Sequence, residues 1–184
     1  GEGEPVEGEG EPVEGEGESS FDCPEDKLLY GQAATPPSPN FGLTYYLSDE
    51  SLWGSNTPLP VENFPSIAGR ICDIHWWGVE VDGDGYACER EENSFVIQVG
   101  GAVSGLLCEY IVTPEKQTVA EGVSFFNDAL NTEVLLSIYK YDVAELNVCC
   151  DIDPAEEFHF FNIRSYSEIE EDCYFGWLTT LQGD

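Results

Sequence analysis

The stretch EVLLSIYKYDV, residues 133–143, repeats every two residues. Val134, Leu136 and Ile138 fall on one side of an extended chain, and Leu135, Ser137, Tyr139 and Tyr141 on the other. One face is aliphatic and the other aromatic and half-polar, which is a strand pattern. SFVIQVG, residues 94–100, behaves the same way: Phe95, Ile97 and Val99 share one face, Val96 and Gln98 the other. Outward from these two, short apolar or alternating runs predict strands near 69–81, 106–113, 118–126, 157–164 and 173–181. LTYYL at 43–47 adds a first strand, read as an edge. VDGDG, VGGAVSG and DIDPAEE between the runs carry loop chemistry. No segment holds a 3.6-residue apolar stripe over three turns; VSFFNDAL comes nearest and is short. Strands at this spacing without helical crossovers predict an all-β fold, an antiparallel β-sandwich of seven to nine strands.

The first eighteen residues read GEGEPVE, GEGEPVE, GEGE. The seven-residue unit is no coiled-coil heptad, because it has one Val, one Pro and two Gly and no seam to bury. Its eight Glu and absence of base predict a disordered, extended linker over 1–20. The domain is then 21–184, with an irregular Pro-rich part at 21–66 that includes TPPSPN and NTPLP. The full chain has 184 residues, 37 acids and six bases. Without the linker's eight Glu, 29 acids remain against the six bases, a net charge of −23. Such a surface repels phosphate backbones, so nucleic acid and anionic membrane are poor partners. No apolar run reaches 18 residues, so no membrane insertion is expected in this segment. The chain has no Met and starts inside a repeat, the signature of an excerpt from a longer protein.

Seven cysteines, at 23, 72, 88, 108, 149, 150 and 173, contain no C-x-x-C pair. They read as disulfides of an oxidising, extracellular or cell-surface setting rather than a zinc or redox site. Cys150 with Cys173 is the expected best pair, both at strand ends, with Cys72 and Cys88 a second. Each closure is worth roughly 3 kcal/mol in the chain-entropy model.

CDIHWWGVEVDGDG, residues 72–85, holds the candidate site. On a strand, Ile74 and Trp76 face one way and His75 and Trp77 the other; both Trp share one core only if a bulge intervenes, which Gly78 could mark. A buried Trp gains roughly 4–6 kcal/mol from its area, so at least one should be core. The other offers a flat apolar face on which a sugar ring could stack. His75 and Trp76 or Trp77 are therefore the candidate ligand residues. Each histidine, His75 and His159, is otherwise expected to make one hydrogen bond on a strand. DGDGYACEREEN has Asp82, Asp84 and Glu89 as carboxylates for a weak calcium site, but Tyr86 and Ala87 break the EF-hand pattern. No other cofactor is indicated. Neither a nucleophile elbow nor H-E-x-x-H appears, so no enzyme is expected.

CPEDKLLYGQ, VENF, ICDIHWWG, LLCEYIVT, CCDI and CYFGWLTTLQGD together resemble β-sandwich modules of unassigned function in secreted proteins of environmental bacteria. Acidic Gly-Glu-Pro repeats precede such modules as linkers. The resemblance implies a jelly-roll-like fold and an extracellular setting, and carries over no catalytic residue. Three functions follow as readings: a non-catalytic binding or adhesion module for a glycan or surface protein, a purely structural assembly module, and an acidic glycoside hydrolase. The last needs two converging carboxylates.

Overall fold

The computed structural model describes residues 44–49, 60–65, 69–127, 130–152, 154–167 and 172–179. The acidic repeat, Cys23, Trp53 and most of the Pro-rich part lie outside them. The described chain is all-β, with eleven strands: β1 (Thr44–Leu47), β2 (Glu62–Pro65), β3 (Gly69–Ile71), β4 (Ile74–Asp82), β5 (Ser94–Gly101), β6 (Gly105–Val112), β7 (Glu115–Asn127), β8 (Thr132–Val143), β9 (Cys150–Ile152), β10 (Phe158–Tyr166) and β11 (Cys173–Thr179). A five-stranded sheet runs β1-β11-β4-β8-β7, a four-stranded sheet β2-β10-β5-β6, and β3 pairs with β9. Every pairing between named strands is antiparallel. If β3, β7 and β9 are set aside, the remaining eight strands order as 1-8-3-6 and 2-7-4-5. That is the double Greek key of a jelly roll.

The run expected as one strand at 69–81 is two, broken at Cys72–Asp73, and the short strands β2 and β9 carried no alternation long enough to read. Pro65 closes β2, which is an edge strand where a missing N–H costs nothing.

Two apolar cores result. The main one lies between the sheets: Phe95, Ile97, Val99, Ile163 and Phe64 from the smaller sheet meet Trp76, Tyr141, Phe175 and Ile74 from the larger. The second lies on the other face of the five-stranded sheet and joins Val79, Val81, Phe125, Val134, Leu136 and Ile138. Its cover is the sheet itself. β8 pairs with β4 only from Tyr139 to Val143, and β7 carries two register shifts near Ala120 that let the distal hairpin bend back. Tyr45 on β1 and Phe125 on β7 stand at opposite edges, four strand spacings or roughly 19 Å apart in a flat sheet. Their rings meet at 5.8 Å. The sheet is curled until its edges touch, and this uses both faces of EVLLSIYKYDV: the aliphatic set fills the curl and the two tyrosines fill the main core.

Six cysteines form three disulfides, Cys72–Cys149, Cys88–Cys173 and Cys108–Cys150. The four cysteines singled out from the sequence are all oxidised, but both expected pairings are wrong. β4 is the reason. Its nine residues separate Cys72 from Cys88 by about 30 Å, far beyond disulfide reach. Cys173 pairs with Asp82 at the far end of β4, where the Val81–Ala87 bridge also brings Cys88. Cys149 and Cys150 sit at the near end, beside β3 and β6. The observed bridges span 77, 85 and 42 residues. Each is then worth about 4 kcal/mol in the chain-entropy model, more than the short closures expected. Such a stapled domain fits an oxidising compartment.

Candidate binding surface

Trp76 is 2 % exposed. It stacks on Tyr141 at 5.6 Å and meets Phe95 edge to face at 5.1 Å, in the middle of the main core. It is therefore a packing residue and not a ligand platform. The bulge that would have turned both Trp inward is absent: Trp76, Trp77 and Gly78 pair in unbroken register with Tyr141, Lys140 and Tyr139. Gly78 has a different use, since a Cβ there would lie 2.1 Å from Phe175 Cε2. The Phe175 ring occupies that space.

His75 and Trp77 point to the opposite face, where both are half-buried. Their rings meet edge to face at 6.0 Å. The register sets them in a small grid. His75 is opposite Asp142 and then Glu115, and Trp77 is opposite Lys140 and then Gln117. With strands 4.8 Å apart and alternate residues nearly 7 Å apart, the grid covers about 10 by 7 Å. Lys140 Nζ donates to Asp142 Oδ2 at 3.0 Å across its middle. Burial holds the His75 imidazole below its ordinary pKa and the Lys140 ammonium adds to this, while Asp142 and Asp73 oppose it. His75 is accordingly neutral at pH 7, with a donor and an acceptor nitrogen. An apolar ring, an imidazole, an ammonium, two carboxylates and an amide on one patch can stack on one face of a ligand and exchange hydrogen bonds with hydroxyls.

The acidic loop does not join this grid. Asp82 Oδ1 accepts the backbone N–H groups of Asp84 at 3.0 Å and Tyr86 at 2.8 Å, closing an Asx turn, with Gly85 at φ 86°. Asp84 holds the hairpin tip through its carbonyl, which accepts from Asn127 Nδ2 at 2.9 Å. Asp84 and Glu89 are exposed. Among the described residues no three His, Cys, Asp or Glu side chains gather as a metal would need.

Two buried groups carried more weight than the sequence reading allowed. Glu80 lies on the core face of β4, with a fully buried side chain. Its carboxylate accepts from Lys116 Nζ at 2.8 and 2.7 Å, Tyr141 Oη at 2.9 Å and the Arg90 N–H at 3.1 Å. Lys116 also sits 4.2 Å from the Tyr139 ring centroid, and Arg90 Cζ 5.4 Å from that of Phe95. The signal was available: in GVEVD, Val79 and Val81 share a face, so Glu80 shares the Trp76 face. His159 is fully buried and stacks on Phe64 at 5.4 Å. Contrary to the single hydrogen bond expected, neither ring nitrogen has a hydrogen-bonding partner among the described residues.

The described carboxylates that are buried are each engaged separately. Asp49 bonds the Ser165 hydroxyl, and Glu156 accepts the N–H groups of Val103 and Ser104 at 2.9 and 2.8 Å. The Ser104 hydroxyl and these two amides hold the Glu156 carboxyl below the usual carboxylate range. All five described basic side chains are likewise engaged within the fold: Arg70 with Asp151, Lys116 with Glu80, Lys140 with Asp142, Arg90 with the Tyr166 carbonyl, and Arg164 with Gln98 and Asn162. Among the described residues no helix is long and apolar enough to cross a membrane. No family model, curated protein or solved structure matches the chain.

Proposed function

We propose that this chain is a non-catalytic extracellular binding or adhesion module of a larger secreted or surface protein. Its ligand surface is the His75–Trp77 face of the curled sheet, and the ligand class that suits it is a glycan. The observation that carries this reading is the register grid: a half-buried Trp beside His75, with Lys140, Asp142, Gln117 and Glu115 within about 10 Å. Sugar rings offer apolar C–H faces and vicinal hydroxyls, the two features such a patch complements. The jelly roll itself hosts many functions and argues for none.

The test is titration of immobilised glycans with the oxidised protein, comparing wild type, Trp77→Ala and His75→Ala. Binding should fall at least tenfold in Trp77→Ala while its circular dichroism stays native. Wild-type protein that binds no glycan, or binds one equally well without Trp77, refutes the reading. The second reading, a purely structural module, is favoured by one observation: the described bases are all spent inside the fold.

A further inference from the structure

β1 is four residues long and, among the described residues, pairs on one side only, with β11. The pairing runs antiparallel from Thr44↔Thr179 to Leu47↔Gly176. The chain therefore enters β1 and leaves β11 at the same end of the sheet. Tension drawn through those two ends meets the Thr44/Thr179 pair first and breaks cross-strand hydrogen bonds one after another, not together. β11 is the firmer partner, because β4 holds its other edge and Cys173 is bonded to Cys88.

Past Leu47 the attachment changes. The Ser48 N–H donates to the Phe175 carbonyl at 2.9 Å, and the Ser48 carbonyl accepts the Ser165 N–H at 2.8 Å. The Ser48 hydroxyl donates to the Ile163 carbonyl at 2.5 Å, and the Ser165 hydroxyl bonds the Asp49 carboxylate. All three side chains are buried, and Asp49 bridges in parallel to Ser165. This clasp fastens the end of β1 to β10 of the other sheet. What β1 covers is apolar. A Cβ on Gly176 would lie 2.6 Å from Tyr45 Cδ2, so the Tyr45 ring rests on that glycine, and Leu47 packs into the second core.

We propose that β1 is a strap that chain tension releases ahead of the rest of the domain. The Ser48–Asp49–Ser165 clasp arrests the release, and opening uncovers the second core at Gly176, Val79 and Phe125. Beyond the clasp the load reaches Cys88–Cys173, which closes the shortest covalent path and keeps residues 89–172 off it.

The experiment is optical-tweezers extension of the full oxidised chain, with the handles attached at positions 43 and 180 so that load enters directly at β1 and β11. At 3.3–3.6 Å per residue, the expected record is a reversible step of about 1.4 nm, then a larger one of about 16 nm that ends at Cys88–Cys173. One undivided event overturns the proposal. Thr44→Cys with Thr179→Cys places a disulfide across the first pair, and in its oxidised form both steps should vanish and return on reduction. A first step that survives the staple also overturns it. Ser48→Ala with Ser165→Ala should lower the force of the second step and leave the first where it was; an unchanged force refutes the clasp. Should that variant fail to fold, hydrogen exchange on the wild type decides: amides of β1 must exchange at least tenfold faster than those of β4, and equal rates refute the strap.

Discussion

Replacing Glu80 by Leu removes the acceptor on which three donors converge. The Lys116 side chain is only 14 % exposed, so its ammonium keeps little water to turn to. Breaking one side of a buried pair costs about 3–5 kcal/mol, because the other charge stays behind uncompensated. The Tyr141 hydroxyl, buried beneath the same carboxylate, loses its acceptor too, at about 1–3 kcal/mol. These groups share one network and do not add, so about 4 kcal/mol is expected for Glu80→Leu. With a urea m-value of about 2 kcal/mol/M, the unfolding midpoint of the oxidised protein should fall by about 2 M. The informative comparison is the triple variant Glu80→Leu, Lys116→Met, Tyr141→Phe, in which the ammonium and the hydroxyl go with the carboxylate and only the Arg90 N–H loses its acceptor. It should recover to within about 2 kcal/mol of wild type, since an apolar replacement of a complete buried pair is close to neutral and what remains is the Arg90 N–H left without its acceptor. Urea unfolding at pH 7, followed by fluorescence and circular dichroism, measures both. A single variant costing less than about 1 kcal/mol, or a triple variant no more stable than the single, would refute this account of the network.

Trp76→Ala should cost about 3–5 kcal/mol and Trp77→Ala clearly less, measured by the same unfolding curves, because only Trp76 is enclosed on all sides. Equal losses would mean the two faces are equally closed. Because the folded pKa of His75 is depressed, its contribution is complete above the unfolded value near 6.5 and is lost as pH falls from there through the folded value. Stability should therefore decline on acidification below about pH 6.5, and His75→Gln should flatten that part of the profile. Tyr141 has the opposite sign: burial and then the Glu80 charge raise its pKa, so its contribution is intact below about pH 10 and lost as pH climbs towards the folded value. Tyr141→Phe should remove that alkaline loss. Peptide mapping of the oxidised protein should recover Cys72–Cys149, Cys88–Cys173 and Cys108–Cys150; a Cys150–Cys173 peptide would contradict the arrangement around β4.

Local periodicity was enough for the fold class. Alternation in 94–100 and 133–143 is a property of consecutive residues, and an extended chain turns it directly into faces. The same parity separated Trp76 from Trp77; followed four residues further it puts Glu80 on the core side, a step left untaken from the sequence. What lay beyond the sequence is whatever depends on which strands become neighbours. Disulfide partners are one case, since Cys88 meets Cys173 only because β11 lies antiparallel to β4 and delivers its first residue to the far end. The second core is another: Val79, Val81 and Leu136 look like a solvent-facing set until the β7–β8 hairpin bends back and brings Phe125 against Tyr45. The binding grid is a third, with Glu115, Gln117, Lys140 and Asp142 unremarkable in the chain and joined to His75 and Trp77 by register alone. Sequence order carries the pattern along each strand. Pairing across strands is chosen by the packing of the whole sandwich, and that choice is not local.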